Sequence, residues 1–215
     1  MKLVVVFGLF YLTGYNYAEV FYMATTDEIK ALRDQTGVSI MQCKRALEEA
    51  GGDVEKAKVI LRKVSSAIAS KKSDRALGAG IAAAYTHAGG SVVAALVLAC
   101  ETDFVSKNEE FSKLAYSIAM HIAAMGPQFI SRDSVKEADL KAAREVFAEE
   151  AAKVPEAARA KAIEGKVDSY LRDRVLLEQP FVKDPSITVR QLIESAVQKF
   201  GEKIEVVRFE RLSVK

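Results

Sequence analysis

The sequence predicts an α+β fold made of a three-helix module, a small antiparallel-sheet core with packed helices, and a helical hairpin. Three observations predict it. Three capped amphipathic segments follow one another near the N-terminus, two β-prone runs flank the turn sequence HAGGS, and a long later stretch is rich in Ala, Glu, Lys and Arg. Half of the 215 residues are apolar, so the chain has ample material for a buried core.

Residues 1–22 allow more than one interpretation. "MKLVVVFGLFYL" places a lysine before a short apolar run, as a secretory signal does, but a good small-residue cleavage site is missing behind it and the run is too short to span a bilayer. A natural extension is a second possibility. We favour a third, in which Met23 is the start and residues 1–22 are an untranslated leader or a disordered extension. Codons for Ala18-Glu19-Val20 can contain GGAGGT, a ribosome-binding sequence.

Residues 23–63 are predicted to form the three-helix module. Thr25 and Glu28 have the spacing of a capping box at the start of the first helix. Ser39 is placed to open the second helix, and Asp53 to cap the third. A bundle this small is typical of a docking module rather than of a catalytic unit.

The core is predicted from the β-prone runs. "IAAAYT" and "VVAALVLAC" form a hairpin around HAGGS, where glycines permit positive φ. Ser106 and Glu109 have capping-box spacing before the next helix, so Asp103 and Phe104 lie in the turn from strand to helix. The alternating stretch "KIEVVRFERL" near the C-terminus is predicted to complete the sheet.

The remaining segments fix the predicted boundaries. The charged, Ala-rich stretch has one break near "KVPEAA", where Pro155 suits an early position of a second helix. "EQPFVKDPSIT" is predicted to be a loop, followed by a helix from Val189 to Lys199. The predicted organisation is the module at 23–63, a helical or flexible linker at 64–79, an α+β core at 80–133 and 179–215, and the helical hairpin at 134–178.

Composition excludes several functional classes. A net charge of +2 is too small to indicate binding to nucleic acid or to an anionic membrane. The two cysteines and two histidines have no metal-ligand spacing, and so few cysteines indicate a reducing cytoplasm. Phosphate-binding glycine loops, dinucleotide fingerprints and nucleophile elbows are missing from the sequence. We therefore expect no cofactor, no metal and no enzymatic activity.

One catalytic alternative stays open. Cys100 and His87 can meet across the predicted hairpin as a thiol and a base, although a cysteine at a strand end more often packs in a core. Cys43 is interpreted as a small apolar residue, and His121 lies at the edge of the apolar face of its helix.

Two motifs identify a family. "LRDQTGVSIMQCKRAL" (Leu32 to Leu47) and "CETDFVSK" (Cys100 to Lys107) closely resemble the two characteristic motifs of bacterial translation elongation factor Ts. "MHIAAMGPQFI" and "EQPFVKDPSITV", in the right order, extend the resemblance over nearly all of residues 23–215. The resemblance implies a ubiquitin-associated-like N-terminal module. It also implies a cytoplasmic guanine nucleotide exchange factor that promotes GDP release from the GTPase elongation factor Tu and disturbs its Mg²⁺ and phosphate site.

The resemblance also implies partner-binding residues. In the family pattern an arginine and two adjacent apolar residues of the module dock on the GTPase. The segment after the sheet hairpin disrupts nucleotide binding, with an apolar wedge at Phe104 and an acidic residue at Asp103, and His121 presses from the same side. The positions of this chain that match are Arg33, Ile40, Met41, Thr102, Asp103, Phe104, Val105 and His121.

The alternative for each group is purely structural. Phe104 can enter its own core while Asp103 caps the helix, and Met41 can be buried while Arg33 is merely solvated. Two other functional classes also remain: a generic binding module that resides in the first three helices alone, and the Cys100–His87 enzyme.

The chain departs from longer family members. These carry two β-containing half-cores, whereas only one is evident here, and Ser117 stands where the first histidine of a helical pair is expected. The far C-terminal helix of some members is also missing. The resemblance is therefore to short members in which two subunits associate. An exposed sheet edge needs a partner, so we expect a homodimer formed through this region.

Overall fold

The computed structural model describes residues 22–151 and 155–214. The predicted leader therefore lies outside the described residues, apart from Tyr22. The α+β class is confirmed, because helices are combined with a small antiparallel sheet. The described residues divide into two compact units: one holds those up to Asp74 together with Glu194–Gly201, and the other holds those between Arg75 and Ile193 together with those from Glu202 onward. None of the described helices is long and apolar enough to cross a membrane.

The first unit is built on three helices, α1 (Thr26–Thr36), α2 (Ile40–Glu49) and α3 (Val54–Ser70). All three predicted caps are present: the Thr25–Glu28 capping box and the side chains of Ser39 and Asp53, each accepting a backbone N–H of the first turn. Buried apolar side chains from the three helices and from the α1–α2 connection form one cluster, which comprises Leu32, Val38, Cys43, Ala46, Leu47, Ala57 and Leu61.

The first unit also contains Glu194–Gly201, which includes the C-terminal half of the helix Val189–Phe200. Helix α3 continues past residue 63, where the module was predicted to end, so the segment assigned to a linker begins inside a helix. On this added part of α3, Ser65 is buried and bonds to Gln198, and Ser66 Oγ bonds to Glu194 Oε1 over 3.2 Å. Residues 194–201 thus pack with the first unit rather than with the sheet.

The second unit contains a three-stranded antiparallel sheet of order β1-β2-β5. The strands are β1 (Ala79–His87), β2 (Val92–Cys100) and β5 (Ile204–Ser213), so the predicted hairpin and its third strand are confirmed. A bulge at Val207 shifts the register, so that Leu98 faces Val206 while Val97 faces Arg208. The bulge changes the alternation along β5: Ile204 and Val206 are buried, and beyond the bulge Phe209, rather than Arg208, is half-buried opposite Leu96.

One face of the sheet is covered by a helix. A one-turn helix, α4 (Asp103–Ser106), follows β2, and α5 (Glu109–Met125) then packs across β1 and β2. Asn108 caps α5, in place of the predicted Ser106, because Ser106 belongs to α4 and its hydroxyl donates to Asp103 O. Phe111, Ile118 and Ile122 of α5 are completely buried.

Two further helices form the predicted hairpin. They are α6 (Glu137–Glu150) and α7 (Glu156–Arg174), with Pro155 as the N-cap of α7. Val167 and Leu171 of α7 form a buried cluster with Val175, and Leu140 and Phe147 of α6 pack against it. Beyond them, the predicted loop contains a short ribbon of β3 (Pro180–Phe181) and β4 (Asp184–Thr188), which leads into α8 (Val189–Phe200).

Candidate partner-binding site

The segment between β2 and α5 presents an aromatic ring to solvent. Phe104 is 82% exposed, whereas the next residue, Val105, is 3% exposed. The difference arises because α4 is a single helical turn, in which adjacent side chains point in different directions. Val105 packs inward and fixes the turn, and Phe104 points outward. We call Thr102–Asp103–Phe104 the TDF turn.

The exposed ring excludes the structural alternative for Phe104. A large apolar side chain of a small domain is ordinarily buried, since its transfer from water is worth about 1.5–3 kcal/mol. Phe104 gains almost none of this free energy in the isolated chain. An exposed aromatic side chain on a fixed turn is typical of an interface residue.

Asp103 lies beside the ring and carries a negative charge. Its carboxylate accepts a hydrogen bond from Lys107 Nζ over 2.6 Å, one helical turn away, and its side chain is 73% exposed. The hydrogen bond and the charge of Lys107 hold the pKa of Asp103 below its usual value. The structural alternative, in which Asp103 caps α5, is excluded because Asn108 is the N-cap of that helix.

The TDF turn is also held by a residue that the sequence analysis missed. Glu202 Oε2 accepts the backbone N–H groups of Glu101 and Thr102 over 3.1 and 3.0 Å, and its Oε1 accepts the Thr102 hydroxyl over 2.6 Å. Glu202 lies about a hundred positions later in the chain, so no local spacing rule connects it to the turn. Only the pairing of β5 with β2 brings it there.

In the first unit, the predicted docking residues are also exposed. Ile40 and Met41, at the start of α2, are 55% and 58% exposed, and Arg33 in the last turn of α1 is exposed too. Met41 is therefore not a core residue, which excludes the structural alternative for it. We call Arg33, Ile40 and Met41 the N-terminal patch; they flank the connection between α1 and α2.

Two predicted site residues do not reach the surface. Val105 packs in the core, and the ring of His121 is fully buried. Val182 N–H donates to His121 Nδ1 over 3.2 Å, so Nε2 carries the proton and donates to Gln179 Oε1 over 2.9 Å. Burial lowers the pKa of His121. The prediction that His121 presses directly on a partner is therefore corrected: this neutral histidine holds the β3–β4 ribbon.

The thiol and the base proposed as a catalytic pair are far apart along the strands. Cys100 pairs with Ala79, at one end of the β1–β2 hairpin, and His87 pairs with Val92 at the other end. Both cysteines are buried, and burial raises the pKa of the Cys43 and Cys100 thiols. Among residues 22–151 and 155–214, no three Cys, His, Asp or Glu side chains are grouped closely enough to hold a metal ion.

Comparison with known proteins gives a consistent result. The family model "Elongation factor TS" matches residues 22–215. The chain is 42% identical over 190 residues to the elongation factor Ts of Herpetosiphon aurantiacus, covering 87% of this chain and 96% of that protein. It is 41% identical over 194 residues to the elongation factor Ts of Thermosipho melanesiensis, covering 89% of this chain and 99% of that protein. For the elongation factor Ts of Thermotoga neapolitana, the identity is 42% over 188 residues, covering 87% of this chain and 95% of that protein. With two exposed surfaces at the positions that the family motifs mark, and a match over nearly its whole length, this chain belongs to the elongation factor Ts family of translation elongation factors.

Proposed function

We propose that this chain is a cytoplasmic guanine nucleotide exchange factor that promotes the release of GDP from elongation factor Tu, without covalent chemistry of its own. The observation that carries the proposal is the 82% exposure of Phe104 on a turn that is held in place by the buried Val105 and by hydrogen bonds to Glu202. The partner is implied by membership of the family.

The proposed mechanism rests on linkage. A GTPase holds its nucleotide through backbone donors around the phosphates and through a Mg²⁺ that bridges phosphate oxygens and protein ligands. A protein that binds the nucleotide-free conformation more tightly than the loaded one must lower the nucleotide affinity by the same factor. Phe104 supplies such a preference if its ring is buried only in a cleft that opens in the nucleotide-free state.

Asp103 supplies the electrostatic part of the proposal. Its exposed carboxylate is ionised at neutral pH, as an ordinary aspartate is, and the hydrogen bond and charge of Lys107 lower its pKa further. A fixed negative charge beside the inserted ring competes with phosphate oxygens for the cationic groups and the metal of the GTPase. We therefore assign disruption of the metal and phosphate site to Asp103 and Phe104 together.

The N-terminal patch is proposed to supply affinity. Exposed Ile40 and Met41 offer apolar area, and the flexible thioether of Met41 adapts to an irregular surface. Arg33 adds a guanidinium that can bond to a carboxylate or to backbone carbonyls. Because this patch and the TDF turn belong to different units, their contributions to binding and to nucleotide release can be separated by mutation.

The direct test uses elongation factor Tu loaded with fluorescent GDP and mixed with an excess of unlabelled GDP. We expect the full chain to accelerate the loss of fluorescence in a concentration-dependent, saturable way. Binding without accelerated release, unaffected by changes in the TDF turn, would indicate a generic docking module instead. The absence of both binding and acceleration would refute the proposal.

We also propose that the chain forms a homodimer through its sheet. The face of the sheet opposite α5 exposes a row of small apolar side chains, namely Ala82, Ala84, Ala95 and Val97, which we call the open sheet face. Strand β1 is moreover an edge strand of nine residues with neither lysine nor proline among them. Such an edge lacks the usual protection against pairing with another chain.

Light scattering at micromolar concentration tests the dimer. We expect a mass twice that of the chain, and Ala84→Asp is expected to shift it to the monomer because it places a charge opposite Ala95, among the apolar side chains of the open sheet face. Glu55→Asp, an exposed and charge-conserving change on α3 in the other unit, is the control. A monomeric wild-type chain would refute the dimer without affecting the proposed exchange activity.

A further inference from the structure

We propose that Glu202 is a positioning residue of nucleotide exchange: its carboxylate holds the TDF turn in the conformation that presents Phe104 to the GTPase. The inference rests on the proposed function and adds a residue that neither motif of the sequence contains.

The contact between Glu202 and the turn is extensive for one side chain. Both carboxylate oxygens are used, since Oε2 accepts two backbone N–H groups, from Glu101 and Thr102, and Oε1 accepts the Thr102 hydroxyl over 2.6 Å. These donors lie immediately before α4, where the chain leaves β2. Hydrogen bonds to a carboxylate are stronger than those between neutral groups. Glu202 therefore fixes the backbone at the residues directly preceding Asp103 and Phe104.

The contact is also reciprocal. Glu101 Oε1 accepts the backbone N–H of Lys203 over 2.6 Å, so each segment supplies a carboxylate to the backbone of the other. Arg75 Nη1 lies 3.2 Å from the same Glu101 oxygen and partly neutralises it. The two segments are thus locked in one register at the end of the β2–β5 pair.

Such a lock matters because packing holds the TDF turn from one side only, while the other hydrogen bonds of the turn are local ones, from Cys100, Ser106 and Lys107. Val105 is buried beneath the turn, but Thr102, Asp103 and Phe104 are all exposed. The side chain of Thr102 makes no capping bond to α4, because its hydroxyl is engaged by Glu202. An interface residue that is already ordered before binding loses less conformational entropy when it binds. Without Glu202, the turn becomes ordered only on binding, and the conformational entropy that it then loses weakens the binding.

Three variants of the chain test the proposal. Glu202→Ala removes all three hydrogen bonds. Glu202→Gln keeps a carbonyl oxygen that can accept the two N–H groups, so this variant is expected to behave more like the wild type than like Glu202→Ala. Glu210→Ala is the matched control, because Glu210 is an exposed carboxylate on β5, the strand that follows Glu202, and its side chain pairs with Arg208.

The first measurement uses the free chain and does not depend on exchange activity. We expect the amide protons of Glu101 and Thr102 to exchange with solvent at least about fivefold faster in Glu202→Ala than in the wild type and in Glu210→Ala, because local opening is no longer opposed. The amides of α5 are expected to be unchanged. Unchanged rates at Glu101 and Thr102 would overturn the proposal, whether or not the chain proves to be an exchange factor.

The second measurement is a double-mutant cycle in the GDP-release assay. At saturating concentrations of the chain, Glu202→Ala is expected to slow release roughly 5- to 20-fold, within the range typical of coupling between sites. If Glu202 acts through Phe104, the same change made in Phe104→Ala is expected to slow release by less than about twofold. Equal losses in both backgrounds would indicate a general structural role and overturn the proposal. A wild-type chain without exchange activity would refute the proposed function, and the amide rates would still decide whether Glu202 holds the turn.

Discussion

Replacing Phe104 by alanine is expected to slow nucleotide release while leaving the fold intact. In the folded chain the ring is 82% exposed, so less than a fifth of its surface is buried. Full burial of a phenylalanine is worth about 1.5–3 kcal/mol. The substitution is therefore expected to lower the free energy of unfolding by less than about 0.6 kcal/mol, which corresponds to a melting-temperature change of less than about 2 °C for a protein of this size.

The effect on exchange follows from the same surface. If the exposed part of the ring is buried only against the nucleotide-free GTPase, its removal costs about 1.2–2.5 kcal/mol of coupling. That free energy corresponds to a loss of roughly 8- to 70-fold in the rate of GDP release at saturation. Binding is expected to survive in part through the N-terminal patch.

Two controls make the result decisive. Phe111→Ala removes a completely buried ring from α5 and is expected to destabilise the chain by about 3–5 kcal/mol. Val59→Ala removes an exposed apolar side chain of α3 and is expected to change neither stability nor release. A thermal melt is recorded beside each release assay. A large drop in stability for Phe104→Ala, with normal release per folded molecule, would refute the assignment of Phe104 as the wedge.

The other predictions concern affinity, pH and the thiols. Replacing Ile40 and Met41 together by alanine is expected to weaken binding to elongation factor Tu about tenfold or more, as for interface hot spots, while the saturated release rate stays within about twofold of wild type. A titration of release rate against chain concentration gives the affinity from its midpoint and the saturated rate from its plateau. An unchanged midpoint would contradict the docking role. The buried His121 has a folded-state pKa below 6.5, so the unfolded chain binds more protons, and the stability that this residue contributes is present above about pH 6.5 and is lost as the pH falls through the folded-state pKa. Between pH 7.5 and 5.5, the melting temperature of the wild type is expected to fall more steeply than that of His121→Gln. Parallel pH dependences of the two melting temperatures would contradict this. N-ethylmaleimide is expected to leave the native chain and its exchange activity unmodified, because both thiols are buried and have raised pKa values; inactivation that follows alkylation would revive the thiol mechanism.

Local rules in the sequence determined the elements that depend on neighbours in the chain. The Thr25–Glu28 capping box, the caps at Ser39 and Asp53 and the turn around HAGGS all involve residues within a few positions of each other, and each is present in the structure. The alternation of the last strand also predicted that it joins the sheet, although the bulge at Val207 shifts its register. Where two local signals competed, prediction failed: Ser106 has capping-box spacing, but the backbone first makes the extra turn of α4, and Asn108 caps α5 instead.

Only the tertiary structure decided what each site residue faces. The motif around the TDF turn marks Phe104 and Val105 equally, yet packing buries Val105 and exposes Phe104. His121, selected from the same family pattern, is enclosed by Gln179 and the β3–β4 ribbon, because burial depends on elements about sixty positions away in the chain. The contact of Glu202 with Glu101 and Thr102 spans about a hundred positions. Such contacts have no signature in local spacing, since they exist only once the pairing of β2 with β5 has brought the two segments together.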